Sequence, residues 1–293
     1  MVAPPVASLG LGLGIAALLW WGSTAALLWL ANRYPHRRES LGALSVIYVL
    51  AWFFALRLGD STGQAALIGS FLMGLLIWGF LEFAYLAGAI AGPLTSRRTC
   101  PPELTGWARF KGALMTGLWH ELAVLATAGL LWLGLWQSPN PLAAQSFSLL
   151  AIARWSAKLN LFLGVPNLHQ EFFPERMRYL ASWTRVAPMN SLFPFSVTFG
   201  AVVTGCLGVM ALQARSPEAA LPFALLGALA ALAVLEHWFL VMKVDDGRLW
   251  RWALPRQGPD GERGTSAPEP LAPEGGAGRG KPTLVLVAPS AQR

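Results

Sequence analysis

The sequence predicts an all-α, polytopic membrane protein with seven transmembrane helices, an external N-terminus and a cytoplasmic C-terminus. Composition supports the class, because 55% of the 293 residues are hydrophobic and only 13% are charged. The apolar residues also fall in long blocks that short polar segments separate. A block of about 20 apolar residues can cross the hydrocarbon core of a bilayer, so we expect each block to form one membrane-spanning helix.

The first three blocks are Leu9–Leu30, Leu41–Leu56 and Ala65–Ala91. The first has no basic segment before it and is too long for the apolar core of a signal peptide. It is therefore expected to remain in the mature protein. The second block is the shortest of the seven, and the third carries one acidic residue inside apolar sequence.

Four further blocks complete the predicted bundle: Ala113–Trp136, Ala143–Leu163, Leu192–Leu212 and Leu221–Met242. Together the seven helices define a transmembrane domain over residues 1–254. The remaining residues, 255–293, are rich in Pro, Gly, Glu and Arg and almost lack aromatic residues. Such a composition cannot bury enough apolar surface to fold, so this segment is expected to be a disordered cytoplasmic tail.

The segment between the fifth and sixth helices has its own pattern. Pro174 and Glu175 are typical of a helix start, and Met177, Leu180 and Trp183 could form an apolar face. Two arrangements are compatible with this pattern: a helix lying on the membrane surface, or a helix packed over the mouth of the bundle.

The basic residues predict the orientation, because Lys and Arg next to membrane spans are retained in the cytoplasm. The loops on the external side carry only Arg57 and Arg215, and the segment after the seventh helix carries eight Lys and Arg residues. The net charge of +7 therefore describes cytoplasmic segments, for which anionic lipid head groups are the expected partner and nucleic acid is not. The cytoplasmic loops contain Arg33, Arg37, Arg38, Arg97, Arg98, Arg109, Lys111, Arg176, Arg178 and Arg185.

A set of ionisable and polar residues inside the apolar helices is the main functional signal. A charge inside hydrocarbon costs about 2.5–3.5 kcal/mol on insertion scales, so such residues need partners or a purpose. They predict a ligand-binding site or a buried polar network in the cytoplasmic half of the bundle, roughly 10–15 Å deep. Its candidate members are Glu82, His120, Glu121, Arg154, Lys158, Asn160, Glu236 and His237.

Arg154 and Lys158 are four residues apart, so they lie on one face of their helix and repel each other unless an anion lies between them. Glu82 or Glu121 could supply that anion, which would make a structural salt-bridge network. A carboxylate or phosphate of a bound small molecule could supply it instead. Both alternatives are open at this point.

Imidazole and carboxylate groups are also the ligands of metal sites. The candidate metal ligands are the acidic and histidine members of this set, but the Glu-x-x-His spacing of two-iron carboxylate sites is missing. A single histidine could instead bind the magnesium of a chlorophyll-type ring, or the histidines could only hydrogen-bond to carboxylates between helices. The metal candidates are Glu82, His120, Glu121, Glu236 and His237.

Six segments resemble the PuhE family, over about residues 75–254, and four of them carry candidate residues. They are FLEFAYLAGAIAGP around Glu82, LWHELAVL around His120, RWSAKLNLFLGVPNL from Arg154, NSLFPFSV from Asn190, and LEHWFL with LWRWAL. PuhE proteins are integral membrane proteins of anoxygenic phototrophic bacteria. They are associated with genes for the reaction centre H subunit and for bacteriochlorophyll synthesis, and are assigned to the assembly of photosynthetic complexes.

The resemblance implies a non-enzymatic assembly factor in the cytoplasmic or intracytoplasmic membrane, with reaction centre or core antenna subunits as partners. A stronger version places the propionate of a bacteriochlorophyll precursor, or another anionic group, at Arg154 and Lys158, with His120 or His237 near its metal. One alternative is an oxidoreductase that acts on a pigment, carotenoid or quinone through a metal such as iron. Another is a proton-coupled tetrapyrrole exporter in which Glu82 or Glu121 titrates.

Overall fold

Eight α-helices and one 3₁₀ helix make up the described part of the protein. The computed structural model describes residues 4–33, 37–93, 99–168 and 175–242. The only β pairing within these ranges is a single bridge between Val165 and Val186. The helices are α1 (Pro4–Arg33), α2 (Arg37–Leu58), α3 (Gln64–Leu86), α4 (Gly106–Met115), α5 (Leu118–Leu135), α6 (Leu142–Leu163), the 3₁₀ helix (Glu175–Trp183), α7 (Leu192–Gln213) and α8 (Pro217–Phe239).

The all-α class is confirmed, and six of the described helices are long and apolar enough to cross a membrane: α1, α2, α3, α5, α7 and α8. The predicted fifth span corresponds to α6, which is 22 residues long. Its mean hydropathy is too low for it to count among these six helices. Gln145, Arg154, Lys158 and Asn160 reduce its hydropathy. Length and composition therefore support a multi-pass membrane protein with six candidate spans.

Two asparagines tie the helices together at opposite ends of the bundle. Asn140, at the turn between α5 and α6, donates hydrogen bonds to the carbonyls of Leu58, Ser61 and Ala66 at 3.0, 3.1 and 3.4 Å. At the other end, Asn190 donates to the carbonyls of Asn160 and Gly164 at 3.2 and 2.9 Å and accepts from the first backbone amides of α7. The end of α6 and the start of α7 thus share one end, opposite to the α5–α6 turn.

The end of α3 differs from the prediction, which carried this helix to Ala91. The helix ends at Leu86, and Gly88 adopts a left-handed conformation with φ +67°. Its amide donates to the Tyr85 carbonyl and the Ala89 amide to the Ala84 carbonyl, 2.7 and 2.8 Å long. This pair of bonds is the Schellman motif that closes helices at a glycine.

The predicted fourth helix, Ala113–Trp136, is wrong as a single helix. It is broken at Thr116–Gly117 into α4 and α5, and the Thr116 hydroxyl donates to the Ala113 carbonyl at 2.7 Å. The break leaves the first amides of α5 without partners inside the helix. One of them, the amide of His120, donates to the carbonyl of Ala91 at 3.2 Å, so the segment after α3 is joined to the start of α5.

The 3₁₀ helix packs over the bundle, which selects the second of the two predicted arrangements. Met177, Leu180 and Trp183 are only 2%, 8% and 5% exposed. Arg109 of α4 holds this helix in place, since its guanidinium donates to the carbonyls of Trp183 and Thr184 at 2.7 and 3.0 Å. The 3₁₀ helix and α4 therefore cover the end of the bundle where α3 and α6 finish.

The predicted tail, residues 255–293, lies outside the described residues, as do Pro174 and the basic residues Arg97 and Arg98. The core of the described bundle lies along α3, with Phe71 and Ile77 fully buried, and includes Leu131, Phe147 and Leu225, which are also fully buried. Helix α3 packs on α2 and α6, while α1 packs on α8.

Gly92→Ala should destabilise the protein, because a Cβ at this position would overlap the carbonyl oxygen of Met115 and the backbone of Thr116. Overpacking of this kind costs about 1–3 kcal/mol. We expect a lower thermal unfolding midpoint for the detergent-purified variant. Gly10→Ala is the matched control, since nothing lies within 4 Å of the added Cβ, and its midpoint should not fall. Equal midpoints for the two variants would contradict the close approach of these segments.

Candidate functional site

Glu82 lies at the centre of a group of buried and half-buried polar side chains from three helices. It is in the last turn of α3 and is 8% exposed. Its Oε1 lies 3.4 Å from Nε2 of His120 on α5, and its Oε2 lies 3.3 Å from Nη2 of Arg154 on α6. One carboxylate therefore contacts both a cation and an imidazole.

Glu121 forms a second pair beside the first. Its Oε1 accepts from Nζ of Lys158 at 2.5 Å, and its Oε2 accepts from the indole Nε1 of Trp155 at 2.5 Å. The Lys158 ammonium also lies 4.8 Å from the centroid of the Tyr85 ring, which is a favourable cation–π distance. Lys158 thus has a carboxylate and an aromatic face as partners.

We call Glu82, His120, Glu121, Arg154 and Lys158 the polar cluster. Arg154 and Lys158 share one face of α6, as their spacing predicts, and each has a carboxylate of its own. Two carboxylates therefore face two cations, and the four charges cancel without an added ion. Removing charges from water is costly unless they are paired in this way.

His120 is fully buried between Glu82 and the Tyr85 ring. Its ring centroid is 4.6 Å from that of Tyr85, with an interplanar angle of 34°. Neither of its ring nitrogens has a hydrogen bond of good geometry among the described residues. The imidazole is therefore held by packing and by its proximity to the Glu82 carboxylate.

Glu236 and His237 do not join the polar cluster directly. The Glu236 side chain is accessible and accepts a hydrogen bond from the indole of Trp20 on α1, and Arg154 is near enough to attract it. His237 is buried, and its Nδ1 lies 2.8 Å from the Ala233 carbonyl and its Nε2 2.9 Å from the Ser156 hydroxyl. Because a carbonyl can only accept, Nδ1 carries the proton, and Nε2 is left to accept from Ser156.

Asn160 is fully buried and connects α6 to α7. Its amide donates to the Ser156 carbonyl at 2.9 Å and to the Ser196 hydroxyl at 3.0 Å. With Asn190 bonded to its own carbonyl, Asn160 forms part of a joint between helices, and it lies on the side of α6 away from Glu82.

The five candidate metal ligands do not converge on one point. Among the described residues, no group of three or more His, Cys, Asp or Glu side chains is placed to hold a metal ion. Glu82 and His120 form one pair, Glu121 is engaged by Lys158 and Trp155, and both nitrogens of His237 are used.

A cleft of about 380 Å³ opens beside the polar cluster. Small-molecule sites usually have volumes of about 300–1,000 Å³. The cluster residues Glu121, Arg154 and Lys158 line one part of its wall, whereas His120 and His237 do not line it. The rest of the wall is mostly apolar or aromatic, with Phe110, Leu114, Leu125, Trp155, Leu159, Phe162, Leu180 and Trp183 among its residues.

A family model described as "Protein of unknown function (DUF3623)" matches residues 6–260. The chain belongs to the DUF3623 family. It is also 39% identical over 243 residues to an "Uncharacterized 30.4 kDa protein in puhA 5'region" of Rhodobacter capsulatus, a match that covers 81% of this chain and 88% of the relative. No solved structure matches the chain. The DUF3623 match includes every residue of the polar cluster and of the cleft.

Among the site residues of this DUF3623 protein that were not predicted are Tyr85, Trp155 and Ser156, each of which contacts a predicted residue. A search for ionisable residues overlooks them because they are neutral donors or aromatic faces. Helical spacing could have predicted Tyr85, because it follows Glu82 by three residues and must lie on the same side of α3.

Glu82→Gln should destabilise the bundle strongly. The substitution leaves Arg154 without its carboxylate, and breaking a buried ion pair costs about 3–5 kcal/mol. Unfolding by SDS in mixed micelles, followed by tryptophan fluorescence, measures the loss. The exposed Glu218 at the start of α8 is the matched control, and Glu218→Gln should change stability by less than about 0.5 kcal/mol.

The double variant Glu82→Gln, Arg154→Gln removes both charges and should recover part of the loss. If Glu82→Gln proved no more damaging than Glu218→Gln, the pairing of Glu82 with Arg154 would not stabilise the bundle.

Proposed function

We propose that this protein is a non-enzymatic, seven-span assembly factor for the bacterial photosynthetic reaction centre and core antenna. The family likeness seen in its sequence and the relative in the puhA 5′ region support a link to the photosynthetic apparatus. Its location is the cytoplasmic or intracytoplasmic membrane. Its partners are reaction centre or core antenna subunits, with anionic lipids at the basic loops.

The observation that carries this proposal is the internal pairing of the polar cluster. Each cation of the cluster has a carboxylate of the protein within 3.3 Å, and the candidate metal ligands are dispersed over separate contacts. A charge-balanced joint between α3, α5 and α6 gives a rigid scaffold inside the membrane, which an assembly factor needs. It does not favour the oxidoreductase alternative, and no contact of Glu82 or Glu121 specifically favours an exporter.

The cleft supports the second part of the proposal, which is that the protein binds a bacteriochlorophyll-type pigment, its precursor or another anionic ligand while it acts. Arg154 and Lys158 line the cleft, so an anionic group of the ligand can reach them. The version in which His120 or His237 binds the ligand's metal loses support, because neither residue lines this cleft and His237 is hydrogen-bonded through both nitrogens.

Seven spans follow if α6 crosses the membrane despite its polar residues. Its 22 residues reach about 33 Å at 1.5 Å per residue, which matches the hydrocarbon core. The α5–α6 turn and the start of α7 lie at opposite ends of the bundle, with Asn140 at one end and Asn190 at the other. With seven spans, the basic loops support a cytoplasmic C-terminus.

Deleting the gene from a phototrophic host that carries it should reduce the absorbance of assembled reaction centre and core antenna complexes in isolated membranes. Complementation with the wild-type gene should restore the absorbance. Glu82→Gln should restore less than Glu218→Gln at matched protein levels. Accumulation of one discrete pigment, carotenoid or quinone intermediate in the deletion strain would instead indicate an enzyme and contradict the assembly role.

Reporter fusions test the seven spans and the orientation. A fluorescent protein fused after Arg293 should fluoresce, and alkaline phosphatase fused there should be inactive, since both results require a cytoplasmic C-terminus. Phosphatase inserted after Ser138 should be active, whereas phosphatase inserted after Asn190 should be inactive. The same activity at both positions would mean that α6 does not cross the membrane.

A further inference from the structure

We infer that the cleft binds a bilayer-dissolved amphiphile with a single anionic head group, a carboxylate or a phosphate, and that this ligand enters sideways from the lipid. The inference deepens the proposed function and rests on its membrane-spanning bundle. It assigns the ligand a class, an orientation and a path of entry. α4, α5, α6 and the 3₁₀ helix form most of the cleft wall, and Tyr85 of α3 adds to it.

The charged end of the cleft offers donors to an anion. The side chains of Arg154 and Lys158 are 32% and 26% exposed although both are paired with protein carboxylates. An ammonium has three donors and a guanidinium has five, so each cation keeps donors that its carboxylate does not use. Glu121 also lines the wall, but Lys158 and Trp155 engage both of its oxygens. The surface that meets a ligand is therefore rich in donors.

The remainder of the wall suits an apolar body. Phe110, Trp155, Phe162 and Trp183 present aromatic surface, and α6 supplies leucine side chains between them. Such a wall is as apolar as the acyl chains that surround the ligand in the bilayer, so an apolar body can enter the cleft at no cost in solvation. A small hydrophilic anion would gain nothing from these contacts, so the cleft matches an amphiphile.

The cleft opens on the side of the bundle that faces lipid. Leu125 of α5 and Leu159 of α6 line it and are 52% and 41% exposed. Exposed leucines on membrane-spanning helices contact acyl chains, so the cleft is continuous with the bilayer interior. A lipid-soluble ligand can enter there without crossing water, while Arg109 holds the 3₁₀ helix over the cytoplasmic end.

Photolabelling of the full-length protein in phosphatidylcholine nanodiscs tests the inference. The probe is palmitate that carries a diazirine on its chain, and mass spectrometry locates the labels. We expect saturable labelling of cleft residues on α5 and α6, and non-saturable labelling of outward residues such as Phe195 and Phe199 on α7, which are 74% and 65% exposed.

Competition distinguishes the two head groups. Unlabelled palmitate and palmitoyl lysophosphatidate should both displace the probe, and the stronger competitor identifies the preferred head group. Hexadecanol has the same chain length without the charge, so it should compete about tenfold or more weakly, which is the value of one hydrogen bond to a charged group. Equal competition by hexadecanol would overturn the anionic head group.

Two pairs of variants locate the site. Leu159→Trp fills the cleft, whereas Leu163→Trp changes a leucine of the same helix that is equally exposed, at 42%, and does not line it. We expect saturable labelling to fall about tenfold or more in the first variant only. Leu125→Trp, with Leu130→Trp as its control on α5, repeats the test if Leu159→Trp does not yield a monodisperse protein. Equal labelling within both pairs would overturn the site.

The charge-balanced variant Glu121→Gln, Lys158→Met removes an ion pair without leaving a buried charge. It should still bind the probe but discriminate less between palmitate and hexadecanol. Unchanged discrimination would overturn the role of Lys158. Saturable labelling together with normal complex assembly in the deletion strain would contradict the assembly role and leave the ligand site. Non-saturable labelling together with reduced complex assembly would contradict the ligand site and leave the assembly role.

Discussion

The bundle depends on the carboxylate of Glu82, which contacts a guanidinium and an imidazole from two other helices. Inside hydrocarbon, a charge without a partner costs several kcal/mol, and the last turn of α3 brings this carboxylate to Arg154 and His120. The contact joins α3, α5 and α6 at one level of the bundle. The neighbouring ion pair of Glu121 and Lys158 joins α5 to the face of α6 that also carries Arg154.

Two interruptions of the helices make this arrangement possible. Gly88 ends α3 with a left-handed residue, and the Thr116–Gly117 break divides the predicted fourth helix. As a result, Glu82 lies in the last turn of one helix and Glu121 in the first turn of another. The predicted helices are longer, so they would place the polar cluster farther from the helix ends than it lies. The shorter helices of the structure leave room for the cleft under α4 and the 3₁₀ helix.

Residue type and spacing predicted the placement of the two cations on α6. The i, i+4 spacing of Arg154 and Lys158 placed both on one face of α6, and the cost of two unpaired cations required anionic neighbours there. The same reasoning grouped Glu236 and His237 with them, whereas in the structure Glu236 accepts from Trp20 of α1 and His237 contacts Ser156 of α6. Sequence spacing shows that adjacent residues on a helix point about 100° apart. It does not show which of them faces the cluster, because packing against α1 and α7 sets the rotation of α8 about its axis.

The amino-acid sequence alone determined the all-helical membrane class, the approximate extent of most helices and the presence of charged groups that need partners. These properties follow from local hydropathy and from the cost of charge in lipid. The tertiary structure alone decided which carboxylate meets which cation, where the helices break, and that a cleft lies beside these charged groups. Those features depend on the mutual rotation and depth of helices that are distant in sequence, and on backbone contacts such as that of His120 with Ala91, which no local pattern encodes.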